Sequence, residues 1–99
     1  MILSDKKLFL VHLGYYEKET NYGIYEAHTN YFTVAANADE AKQNAKLMPD
    51  YRAKMMHVDG ILEIDAVQGC RIKLDHEAEL DGRSVMNGLS YDDLHPVDD

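Results

Sequence analysis

The interval between Asn37 and Pro49 limits the architecture more than any other part of this chain. It holds the one segment with clear helical patterning, and strand-like stretches lie on both sides of it. Asn37 is a good cap: its side-chain oxygen can accept from the unpaired N–H groups of a first turn. Glu40, three residues on, is placed to return a bond to the cap's own N–H. Ala38, Ala41, Ala45 and Met48 recur at spacings of 3, 4 and 3, which places them on one helical face. Small side chains on that face allow the axis to lie close to a sheet. Asp39 and Glu40 in the first turn, with Lys42 and Lys46 later, suit the helix dipole. Pro49 ends the segment, because the residue before a proline avoids helical geometry. The two carboxylates at the positive helix end also disfavour a phosphate-binding turn there.

The flanking stretches set the fold class. "KLFLVHLGYY" has four consecutive apolar residues, Leu8 to Val11, as expected of a central strand. "EKETNYG" reads as a loop, and "IYEAHTNYFTVAA" resumes strand character, strongest over residues 31–35. "DYRAKMM" reads as a connector with Met55 and Met56 as core filler, and "HVDGILEID" as a third strand with a bulge near Gly60. "AVQG" supplies a turn, and "CRIKL" alternates, directing Cys70, Ile72 and Leu74 inward. This β-β-α-β-β order predicts a two-layer α+β domain over residues 1–74, with one helix packed on a mainly antiparallel sheet. Residues 75–99 form an irregular C-terminal arm rather than a second domain. Its scattered Leu80, Val85, Met86, Leu89, Tyr91 and Leu94 suggest docking on its own domain or on a second copy, with a short strand at 84–86.

Charge divides at the same place. The net charge is −8; residues 1–74 hold ten acids and nine bases, whereas residues 75–99 hold eight acids against Arg83 alone. A neutral body with an acidic arm, and no Lys/Arg cluster, disfavours nucleic-acid binding. No apolar run approaches the roughly 18 residues of a membrane helix, and the apolar run after Lys7 lacks a signal-peptide cleavage site. A single cysteine excludes an intrachain disulfide. The expectation is a cytoplasmic protein without membrane association, with Cys70 a buried structural thiol.

Candidate chemistry rests on histidines. His12, His28 and His57 lie on or beside strands, and two of them have acids two residues away: Glu26-x-His28 and His57-x-Asp59. Residues two apart on a strand share a face. If the second and third strands are neighbours, Glu26, His28, His57 and Asp59 converge. Imidazole with carboxylate suits a divalent metal or an acid–base pair; the bland alternative is two strand-end histidines, each hydrogen-bonded to a nearby carboxylate or carbonyl. Tyr15, Tyr16, Tyr22, Tyr25 and Tyr31 crowd one region and read as core or interface residues more readily than as a ligand groove. Nucleophile elbows, phosphate loops, dinucleotide glycine patterns and zinc-finger spacings are absent, so no cofactor is predicted apart from that divalent metal.

"KLFLVHLG", "YEAHTNYFTVAANADEAK" and "HVDGILEIDAVQGCRIKL" together resemble a small family of uncharacterised bacterial proteins, a domain of unknown function present in one or two copies per chain. The resemblance covers about residues 7–74. Glu26, His28, His57 and Asp59 fall at matching places, while Thr29 stands where the family often has Asp. It implies a compact α+β domain without an assigned activity. The functional expectation is a non-enzymatic domain that self-associates as a dimer, its arm contributing contacts or meeting a protein partner. The alternative is a small-molecule or metal-binding protein, or an enzyme, built on the His/carboxylate residues.

Overall fold

The computed structural model describes residues 1–17 and 24–97. Three strands, β1 (Lys7–Tyr16), β2 (Glu26–Ala35) and β3 (His57–Ile64), form one sheet in the order β2-β1-β3. β1 is antiparallel to both neighbours. Its unbroken apolar run therefore belongs to the central strand, as expected. Strands two and three are not neighbours: they occupy opposite edges with β1 between them, so the condition set on their pairing is not met. Tyr22, Gly23 and most of the "EKETNYG" loop lie outside the described residues, as do Asp98 and Asp99.

Alternation along β1 sends Phe9, Val11 and Leu13 to one face, where they are fully buried. Each such side chain contributes about 1.5–3 kcal/mol by leaving water. The helix α1 (Ala38–Lys46) covers this face through Ala41 and Ala45, joined by Ala35 and Met56. Methyl side chains let α1 approach the sheet, while Ala38 is exposed and Met48 only half-buried. The Asn37 side chain accepts from the Glu40 N–H at 2.9 Å, while the Glu40 carboxylate accepts from Lys6 at 3.1 Å. Asn44 ties the two layers together, donating to Thr33 Oγ1 at 2.9 Å and so satisfying the buried polar residue of the core.

Pro49 ends the first helix and also opens a second, α2 (Pro49–Ala53), where its missing N–H costs nothing. The expected connector thus contains a helical turn. Of the two methionines after it, Met56 is core and Met55 is exposed with a φ of 52°. In β3, Val58 and Ile61 both pack toward the core although they are three residues apart, which a regular strand forbids. A bulge resolves the conflict: Leu13 pairs with Val58 and His12 with Gly60, leaving Asp59 as the extra residue.

The last two strand segments correct another expectation. β4 (Ala66–Val67) and β5 (Cys70–Arg71) form a separate two-stranded ribbon. Its turn has Gln68 at φ 52° and Gly69 at φ 79°, matching the positive-φ pair of a type I′ hairpin. So short a ribbon has no inner face of its own, and Cys70 is exposed rather than buried. Ile72 and Leu74 are half-buried.

The N-terminal segment holds the start of the arm: Leu3 N–H donates to Leu74 O at 2.8 Å, and Ile2 bridges Asp75. A 3₁₀ turn, Ala78–Leu80, follows, and a one-turn helix α3 (Tyr91–Leu94) comes later, capped reciprocally by Ser90 and Asp93. Residues 84–86 are not in a strand. Leu80, Val85 and Met86 border a groove with Leu8, Phe32 and Val34 on the sheet face opposite α1. Beyond it, Leu89, Tyr91 and Leu94 are exposed. The radius of gyration, 16.7 Å, exceeds the ~13 Å of a compact chain of this length, because the arm does not fold back into the core. No helix among the described residues is long and apolar enough to cross a membrane.

Candidate metal centre

The face of the sheet away from α1 carries the polar residues singled out from the sequence. Gly14 of β1 pairs with His28 of β2 on one side and with His57 of β3 on the other. Glu26 lies two residues before His28, and so on the same face. Asp59 occupies the bulge. All four residues expected to converge do so, though across an intervening strand rather than between neighbours.

That strand is crossed because Gly14 has no side chain. Adjacent strands lie about 4.8 Å apart, so β2 and β3 are separated by nearly twice that distance. A Cβ built on Gly14 would fall closer than 3.0 Å to Glu26 Oε1, Asp59 Oδ2 and His57 Nε2. These three atoms, from the two outer strands, fill the space that any other residue's side chain would occupy. Gly14 is not among the positive-φ glycines, so space rather than backbone conformation explains the residue.

The resulting contacts are short. His57 Nε2 lies 2.7 Å from Glu26 Oε1 and 3.0 Å from Asp59 Oδ1. His28 Nε2 lies 3.1 Å from Asp59 Oδ2 and 3.5 Å from Glu26 Oε1. For donors about 2.1 Å from a metal, neighbouring donor atoms stand about 3.0 Å apart in an octahedron and 3.4 Å apart in a tetrahedron. Three of the four separations match such edges, and the fourth is a hydrogen-bond distance. The carboxylates, at 32% and 29% exposure, sit deeper than the imidazoles, at 42% and 47%. They form a floor of carboxylate oxygens under a nitrogen rim. Glu26 and Asp59 offer oxygens within 4.8 Å of each other, and His57 Nε2 reaches both carboxylates.

Compared with models of protein families, with curated proteins and with solved structures, the chain matches none. The geometry of the site therefore carries the functional argument, and the resemblance over residues 7–74 gains no independent support.

One participant was not assigned to the site from the sequence. His12 stacks on His28, with ring centroids 4.8 Å apart and planes 6° from parallel. Its signal was present, since His12 is two residues before Gly14 and thus on the same face. The tyrosines behave otherwise: Tyr15 and Tyr31 pack against the core, while Tyr16 and Tyr25 are exposed. In the arm, the Ser90 backbone N–H, then its hydroxyl, donates to the Asp93 carboxylate and holds its pKa below the usual aspartate range.

Proposed function

We propose that this chain is a divalent-metal-binding domain whose ligands are Glu26, His28, His57 and Asp59. The observation that carries the reading is the meeting of two imidazole nitrogens and the oxygens of two carboxylates from the outer strands above a side-chain-free Gly14. A hydrogen-bonded cluster alone would not require that vacancy, because histidines at strand ends reach carboxylates on their own strand. A mixed nitrogen and oxygen set favours borderline first-row ions such as Zn²⁺, Mn²⁺ or Ni²⁺ over the all-oxygen shell preferred by Ca²⁺. The assignment is binding rather than catalysis. Thermal denaturation of chelator-treated protein with and without each ion tests it. An ion at 100 times its Kd adds about 2.7 kcal/mol, or about 10–20 °C for a domain of this size. The absence of a shift with every ion, together with wild-type behaviour of His28→Ala, would remove the reading.

A second reading, self-association with another copy, is favoured by a separate observation. On the same open face, Phe32, Val34 and Leu62 are exposed; the arm presents Val85 and Met86 beside Phe32 and Val34, and Leu89 is exposed beyond them. An exposed apolar patch of this kind marks an interaction surface. The neutral body and acidic arm of one copy would not repel one another, so a second copy is the occupant we favour. Sedimentation of the wild type against Met86→Asp/Leu89→Asp tests this, with a dimer expected to become a monomer; a wild-type monomer would rule the reading out.

A further inference from the structure

We propose that the centre is dinuclear: Asp59 bridges two divalent cations, one held with Glu26 and His57, the other with His12 and His28. This rests on the metal-binding reading but draws on different observations. Asp59 divides its two oxygens between the histidines. Oδ1 is 3.0 Å from His57 Nε2 and Oδ2 is 3.1 Å from His28 Nε2. A carboxylate aimed in two directions is the usual bridge in two-metal sites, where the ions stand about 3.5–4 Å apart. The donor atoms also fall into two sets of three: Glu26, His57 and Asp59 form one, and His12, His28 and Asp59 the other, each within 4.8 Å.

His12 is prepared as a ligand. Its Nδ1 lies 2.7 Å from Asn30 Oδ1. A carbonyl oxygen only accepts, so Nδ1 is a donor, and in the neutral ring Nε2 is the nitrogen left to bind a cation. Such an outer partner is how metal-binding histidines are oriented. The near-parallel stacking on His28 prevents the rings from hydrogen-bonding edge to edge, and one nitrogen of each lies within 4.8 Å of an Asp59 oxygen. There is also room for solvent. Gly60, paired with His12 on β3, would meet no heavy atom within 4 Å if it bore a Cβ. Water can therefore complete the second ion's coordination, in contrast to the crowded space above Gly14.

The test is a Co²⁺ titration of the demetallated full chain, followed by visible absorption, with cobalt per chain counted by elemental analysis after gel filtration. Two equivalents are expected for the wild type and one for His12→Gln, with unchanged far-UV circular dichroism as the folding control. Asn30→Leu keeps every ligand and removes only the outer partner of His12. It is expected to weaken the second equivalent about 10–100-fold and to spare the first. Mn²⁺-loaded protein should give the electron paramagnetic resonance of a coupled pair. One equivalent in the wild type, undisturbed by His12→Gln, would overturn the dinuclear proposal and leave the mononuclear reading standing. No bound cobalt would overturn both.

Discussion

His57 Nε2 lies 2.7 Å from Glu26 Oε1 although the two residues belong to opposite edges of the sheet. Side chains on next-nearest strands do not normally meet, because the central strand's side chain stands between them. Here the central residue is Gly14, and the contact runs over its bare Cα.

This arrangement makes Gly14→Ala a discriminating substitution. The added methyl strikes the movable ends of side chains rather than backbone, so the sheet should form and the cluster should open. The expected result is at least a tenfold loss of metal affinity with an unchanged circular dichroism spectrum. Alanine is also preferred over glycine inside a strand by about 0.5–1 kcal/mol. In a Glu26→Ala/His57→Ala/Asp59→Ala background, where the collision is gone, Gly14→Ala should therefore stabilise the fold by about that amount in urea denaturation.

Acid should release the metal before it unfolds the protein. Protons compete with cations for imidazole and carboxylate donors. Isothermal titration with Zn²⁺ at successively lower pH should show falling affinity, with proton release on binding detected as a dependence of the heat on buffer. An affinity independent of pH would argue against histidine ligands.

The two faces of the sheet should differ in their response to truncation. Phe9 is 1% exposed and Phe32 is 43% exposed. Phe9→Ala should cost about 3–5 kcal/mol, and Phe32→Ala much less. If Phe32→Ala costs as much as Phe9→Ala, and the cost rises with protein concentration, the open face is covered by a second copy in solution.

The turn at Ser90–Leu94 should be acid-sensitive. A carboxylate with a folded-state pKa below its unfolded value contributes stability above the unfolded value and loses it as pH falls through the folded one. For Asp93 that window lies below about pH 4. Proton chemical shifts of residues 91–94 should hold constant down to that range and then move to coil values. Ser90→Ala should raise the midpoint only in part, since the Ser90 backbone N–H remains as the larger cause of the depression.

The α+β class and the capped alanine-faced helix were legible because each depends on local residue choice. The pairs Glu26-x-His28 and His57-x-Asp59 were legible for the same reason, as i, i+2 spacing fixes a shared face. What joins them was not. Gly14 reads in sequence as a residue that loosens a strand, and its purpose depends on β1 lying between β2 and β3, which no local pattern encodes. The exposure of Cys70 is not legible, because the alternation around it runs through a segment in which only two residues pair. The second helix is hidden in the sequence because Pro49 signals a stop, whereas proline suits the first turn of a helix as well as it disrupts the interior of one.

The bulge at Asp59 joins the two layers mechanically. Val58 and Ile61 must both point into the core, and the strand accommodates them by surrendering one residue on the opposite side. That surrendered residue is the carboxylate shared by both donor sets. The placement of Asp59 thus follows from the inward packing of Val58 and Ile61. Insertion or deletion of one residue between Val58 and Ile61 would leave every ligand in the chain and turn the sharing oxygen pair away from its partners. The coordination chemistry proposed for this domain would, in that sense, be a readout of how its hydrophobic layer is registered.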